Sequence, residues 1–92
     1  MFKIKVGSRV KWTSQAGSYE KEKTGEVVAF IPAGESMYAQ LPKQVAKNRI
    51  MAQDRSAIDR VLVAVERGQD YDWYAPRPGQ LQLVKGGAVG GH

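Results

Sequence analysis

Hydrophobic and basic positions alternate over residues 2–12, FKIKVGSRVKW. Phe2, Ile4, Val6, Val10 and Trp12 are apolar, and Lys3, Lys5, Arg9 and Lys11 lie between them. Successive side chains of a strand point to opposite faces, so this period of two predicts extended chain with one buried face. Gly7-Ser8 spans two residues and would leave the parity intact, setting five apolar groups against four cations. Strand composition recurs in TGEVVAFI (24–31), in DRVLVAVERG (59–68) with Val61, Val63 and Val65 on one parity, and in QLQLV (80–84) with Leu81 and Leu83 together. Counting strands around 2–6 and 9–13, about five are expected. Gly7-Ser8, Ala16-Gly17-Ser18, Thr24-Gly25, Pro32-Ala33-Gly34, Arg67-Gly68 and Pro76-Arg77-Pro78-Gly79 supply the turns. Short strands with frequent turns predict a mainly β (α+β) fold, a curved antiparallel sheet or a small barrel.

Three segments read differently. LPKQVAKNRIMAQDR (41–55) has Pro42 near a helix start and good helix formers through Ala52, which predicts one short helix over 41–53. Lys43 and Lys47 would share one of its faces and Gln44 and Asn48 another, with Leu41 and Val45 as a thin buried stripe. SAIDRVLVAVERG is ambiguous: Ser56 with Asp59 resembles a capping box and Gly68 a helix end, whereas Val-x-Val-x-Val favours a strand, the preferred assignment. TSQAGSYEKEKT (13–24) is polar with alternating charge, so an exposed hairpin tip is expected, with Glu20-Lys21-Glu22-Lys23 as a solvated zwitterionic ribbon.

Composition narrows the class. Ninety-two residues make one domain, expected to be compact over 1–85, with GGAVGGH at 86–92 as a flexible Gly-rich tail ending in the lone His92. The chain has no cysteine, which excludes a disulfide scaffold and thiolate metal sites. MFKIKVGS lacks the apolar core of a signal peptide, and no run approaches about 18 apolar residues, so a soluble cytoplasmic protein is expected. The net charge of +5 is uneven. Residues 1–50 hold nine Lys/Arg against four acids, and residues 51–92 hold five of each. The excess therefore forms a patch that favours polyanions or acidic protein surfaces.

Candidate chemistry follows from that patch. Without cysteine, and with its one histidine on the tail, the chain offers no Ser-His or Cys-His constellation and no histidine zinc site. Asp70 and Asp72 could flank a substrate, but exposed turn carboxylates are commoner. No enzyme activity, cofactor, metal, membrane or small-molecule substrate is expected. Lys3, Lys5, Arg9 and Lys11 would form a stripe that gains when phosphates approach and release counterions, or else simply protects an edge strand from aggregation. From Ser36 to Gln53 there is no acid, while Lys43, Lys47 and Arg49 are interleaved with Gln40, Gln44, Asn48 and Gln53. Amides donate to and accept from base edges, so this cluster suits RNA, with an ordinary polar helix face as the alternative. Tyr38 could stack on a base. In YDWYAPRPG (71–79) the aromatics are expected to pack in the core and at its rim, with a stacking platform as the sharper alternative, and Arg77 is presented between two prolines as a contact residue.

The front half, VGSRVKW…KTGEVVAFIPAG, resembles the opening of SH3-like barrels of the KOW and Tudor kind, which would make the fold a small SH3-like barrel. Across MFKIKVGSRVKWTSQAGSYEKEKTGEVV and in its length, the chain also resembles the small phage-encoded anti-CRISPR proteins that inhibit the type I-F (Csy) surveillance complex. That resemblance implies action in the host bacterial cytoplasm, with Cas protein subunits and their guide RNA as partners. It also implies inhibition by occlusion, since an accessible guide strand is what target DNA must pair with. The alternative is an SH3-like nucleic-acid-binding module of phage or bacterial transcription or translation. The site residues, Lys43, Gln44, Lys47, Asn48, Arg49, Lys3, Lys5, Arg9, Lys11 and Arg77, come from the charge argument alone.

Overall fold

The computed structural model describes residues 4–16 and 19–84. Five strands form one antiparallel sheet: β1 (Arg9–Ala16), β2 (Tyr19–Ile31), β3 (Arg60–Arg67), β4 (Asp70–Tyr74) and β5 (Gln82–Leu83). Their order is β4-β3-β2-β1-β5, and among the described residues the sheet stays open, so these form the sheet and not the closed barrel. The mainly β class and the count of five hold, with one exchange of members. Of the strand expected at 2–6, residues 4–6 run instead into a tight turn in which the Ser8 N–H donates to the Lys5 carbonyl at 2.9 Å. Gly7 carries a φ of 95°, a left-handed conformation that glycine adopts without a Cβ clash. The turn breaks the parity, and Val6, expected inside, is 60% exposed. Its place in the sheet is taken by β4, in the stretch read as core and rim aromatics. A two-residue connection pairs Arg67 with Asp70, and Gly68 at φ 64° supplies the first position of a tight hairpin turn.

β3 decides the architecture. Val61 and Val63 point to one face of the sheet, where they meet Val10 and Trp12 of β1, Val27 of β2 and Leu81. Leu62 and Ala64 point to the other, against Ile31, Met37 and Trp73. A strand buried on both faces reads as a continuous apolar run, which is why SAIDRVLVAVERG was ambiguous; it is a strand. In β2 the register slips between Val27 and Ala29, inserting Val28 as a bulge, so Val28 and Ala29 both pack on the second face. Gly25 lets β2 approach β3: a Cβ there would lie 2.5 Å from the Ala64 carbonyl oxygen and 2.7 Å from Cγ1 of Val63.

The second face is covered by the chain between β2 and β3. Leu41, Val45, Ile50 and Ala52 from this segment pack against the Leu62–Trp73 cluster. The helix expected over 41–53 is absent, and only short 3-10 turns form, at Tyr38–Gln40 and Lys47–Arg49. Gln44 adopts a φ of 68°, outside the right-handed helical region. Leu41 and Val45 were too thin a stripe to hold a short helix, which is marginal without packing. An irregular path brings Ile50 and Ala52 onto the sheet as well. The Ile50–Met51 stretch also lies along the outer edge of β4, where the Met51 N–H donates to the Trp73 carbonyl at 2.8 Å. Among the described residues no helix is long and apolar enough to cross a membrane.

Candidate nucleic-acid interface

The residues nominated by charge fall into separate groups. Lys43, Gln44, Lys47 and Asn48 are exposed on the covering segment, and no longer share helix faces. Lys5 is exposed in the Gly7 turn, and Arg77 is exposed before β5. Arg9 and Lys11 lie on β1, three inter-strand steps from β4, roughly 14 Å along the sheet. The 3-10 turn that carries Lys47 packs on β4, so the two basic groups sit toward opposite edges. Lys3 lies outside the described residues, as do the Gly17-Ser18 turn and the tail at 86–92 with His92.

Two of the nominated sets have carboxylates beside them. The β1–β2 register places Arg9 opposite Glu26, and the Lys11 Nζ lies 3.8 Å from Oε2 of Glu22. Arg49 turns inward. Its Nη1 donates to Oδ1 of Asp72 at 3.2 Å, and its Nε lies 3.6 Å from Oδ2 of Asp70. Asp72 is buried, and Arg67 reaches its second oxygen at 3.4 Å. The Asp70–Asp72 pair considered for substrate chemistry is therefore an ion-pair network in which Arg49 neutralises a buried charge.

The β1–β2 ribbon contains the signal that the sequence reading passed over. Glu20-Lys21-Glu22-Lys23 is strand, so its alternation sorts charge by face instead of mixing it along a tip. Glu22 and Glu26 fall on the side of Lys11 and Arg9. Lys21 and Lys23 fall on the other, where their register partners Ser14 and Trp12 carry no charge. That side is aromatic. The Trp12 and Tyr74 rings meet edge to face at 5.7 Å, and the Lys23 ammonium sits 5.2 Å from the Tyr74 ring centroid. Period-two alternation beyond Trp12 could have revealed this sorting, had residues 13–24 been assigned to strands.

Beside the aromatic pair opens a cleft of about 530 Å³. Trp12, Tyr74 and Met51 give it apolar walls, and Gln53, Gln80 and Arg60 bring polar groups to it. The acid-free segment thus leads from exposed Tyr38, Lys43 and Lys47 to Gln53 in the cleft wall. Arg60 is half-buried; its Nε donates to Ser56 Oγ at 3.0 Å and its Nη1 to the Ala75 carbonyl at 3.3 Å. Asp54 also borders the cleft. Its Oδ1 accepts from Ser36 Oγ at 2.6 Å and from the Tyr38 N–H at 3.1 Å, which, with the Arg55 charge nearby, holds its carboxyl below the usual range. Among the described residues no group of three or more His, Cys, Asp and Glu side chains is placed to hold a metal ion. No protein-family model, curated protein or solved structure matches the chain.

Proposed function

We propose that this protein is a non-catalytic binding module for a single-stranded nucleic acid, RNA above all. The observation that carries the reading is the sorting of Lys21 and Lys23 onto the aromatic face of the β1–β2 ribbon, opposite uncharged partners. Lysines beside an accessible aromatic ring suit a strand whose phosphates meet the ammonium groups while an unstacked base meets the ring, here that of half-buried Tyr74. Lys43 and Lys47, exposed on the acid-free segment that covers the other face of the sheet, supply a second, separate basic group. Binding at such a surface needs no reacting group.

The same surface serves a second reading, inhibition of a type I-F surveillance complex by covering its guide RNA. Favouring it are exposed apolar side chains outside the cationic groups, with Phe30 46% and Ile58 40% exposed, which could add contacts to Cas subunits.

Fluorescence anisotropy of a labelled 12-nucleotide RNA across a salt series tests both. With about four phosphates engaged, the log–log slope for a single strand is expected near −3. Replacing Lys21 and Lys23 with glutamine should reduce its magnitude by about 1.4. Tight binding to a purified Csy complex with no measurable binding to free RNA selects the inhibitor reading. An unchanged slope in the Lys21→Gln/Lys23→Gln variant overturns the lysine–aromatic face as the strand's site.

A further inference from the structure

We infer that the cleft beside Trp12 and Tyr74 is a subsite for one nucleotide, with the base against Tyr74 and Met51 and the phosphate on Arg60. The inference rests on the strand-binding reading and deepens it. About 530 Å³ lies within the usual span of small-molecule sites, roughly 300–1,000 Å³, and suits a base with its sugar phosphate.

The lining divides the work. Half-buried Tyr74 and exposed Met51 offer the apolar surface a base needs, and buried Trp12 backs the Tyr74 ring edge to face. Gln53 and Gln80 also face the cleft, and their amides can donate and accept at a base edge; the single amide oxygen of Gln80, Oε1, already accepts the Arg77 N–H, which leaves its NH2 as the freer group. Arg60 is the distinctive group. Its guanidinium is anchored by a hydroxyl and a carbonyl, both neutral, and among the described residues no carboxylate lies within ion-pair distance of it. Arginine has five N–H donors and two are engaged, so a half-buried positive charge keeps donors for an anion, and phosphate matches its planar fork. Asp54 sets the orientation. Its negative charge on the same cleft repels a phosphate from its own side and accepts base N–H groups instead.

The test reads Trp12 directly. In a Trp73→Phe background the protein has a single tryptophan, Trp12, whose fluorescence reports a base in the cleft. Cytidine monophosphate and a labelled six-nucleotide RNA are titrated separately, following quenching for both and anisotropy for the RNA. The first arm reports a free nucleotide, the second a nucleotide within a strand. Quenching by both, weakened about tenfold in Arg60→Gln and severalfold in Gln53→Ala, is the expected result. Gln53 is exposed, so its variant keeps the test independent of any unfolding caused at Arg60. RNA that binds by anisotropy without quenching Trp12, and equally well in Gln53→Ala and Arg60→Gln, overturns the subsite and leaves the strand-binding reading standing. Quenching by cytidine monophosphate with no RNA binding supports the subsite and overturns the strand reading. No quenching by either ligand removes the subsite.

Discussion

Arg49 shows how one residue changes meaning once its neighbours are known. In sequence it is a cation in an acid-free run. In the fold its guanidinium faces Asp72, whose side chain is 3% exposed, and Asp70 at the rim. Removing a partner from a buried charge is costly because the charge left behind has lost water as well. Arg67 touches the same carboxylate but is itself 69% exposed, so solvent can replace much of its contribution. Arg49→Ala is therefore expected to lower unfolding free energy by about 2 kcal/mol and Arg67→Ala by under about 1 kcal/mol, measured by urea denaturation. Equal losses would mean that the two arginines share the buried charge evenly. The same asymmetry makes Arg49 unsuitable for probing nucleic-acid contacts, which are better tested at Lys43 and Lys47.

Among the elements, β2 and the segment that follows it carry the strain and the pinning. Gly25 stands where β2 passes closest to β3, and an added methyl would meet the Ala64 backbone oxygen. Overpacking against backbone has no rotamer to relieve it, so Gly25→Ala should destabilise by about 1–3 kcal/mol in thermal or chemical unfolding, with the larger values expected here. The segment after β2 is held at its ends. The Gly34 N–H donates to the Ser56 carbonyl at 2.8 Å, the Met37 N–H to the Asp54 carbonyl at 2.7 Å, and the Ala33 N–H to Oδ1 of Asp59 at 2.9 Å. Asp54 is held through its side chain too, mainly by the Ser36 hydroxyl, and its pKa is lowered on folding. A carboxyl of this kind contributes stability that is fully present above its unfolded value, about 3.9, and is lost as pH falls through the folded value. Melting temperature should thus fall more steeply below about pH 4 in the parent protein than in Asp54→Asn. Parallel pH profiles would show that Ser36 and Tyr38 hold the segment without help from the charge.

Across the whole molecule, the cations form separate surfaces. Lys21 and Lys23 stand on the β1–β2 ribbon with the aromatic pair, and Lys43 and Lys47 on the segment covering the other face of the sheet. Groups that far apart, with no shared partner, usually act additively. The Lys21→Gln/Lys23→Gln losses in RNA affinity should therefore add to those of Lys43→Gln/Lys47→Gln in the same anisotropy experiment. A strand touching only the ribbon would leave the second pair silent. Arg9 and Lys11, facing Glu26 and Glu22, should matter least.

Much of the fold was legible in the chain because strands write their periodicity locally. Val61, Val63 and Val65 and the Arg67-Gly68 turn do what short-range sterics and alternation require, whereas Thr24-Gly25, expected as a turn, lies inside β2, where Gly25 serves close approach to β3 instead. The tight turn at Gly7 was misread because parity counts residues and cannot see a backbone reversal. The helix over 41–53 failed because propensity is weak beside the gain from burying Leu41, Val45, Ile50 and Ala52 on a sheet already formed. Of the candidate site, the exposure of Lys43, Lys47 and Arg77 agrees with a charge reading. Lys21, Lys23 and Arg60 escaped it because their environments come from strands distant in sequence.

By itself, then, the order of residues determined the mainly β class, four of the five strands in their essentials, and a basic excess in the first half. These depend on interactions between near neighbours: backbone sterics, alternation and turn chemistry. Tertiary structure alone decided which charges were neutralised, which face of the E-K-E-K stretch met aromatic rings, and that Arg60 would lie in a cleft with neutral partners. Electrostatics and burial act through space, and only folding sets the distances on which they depend.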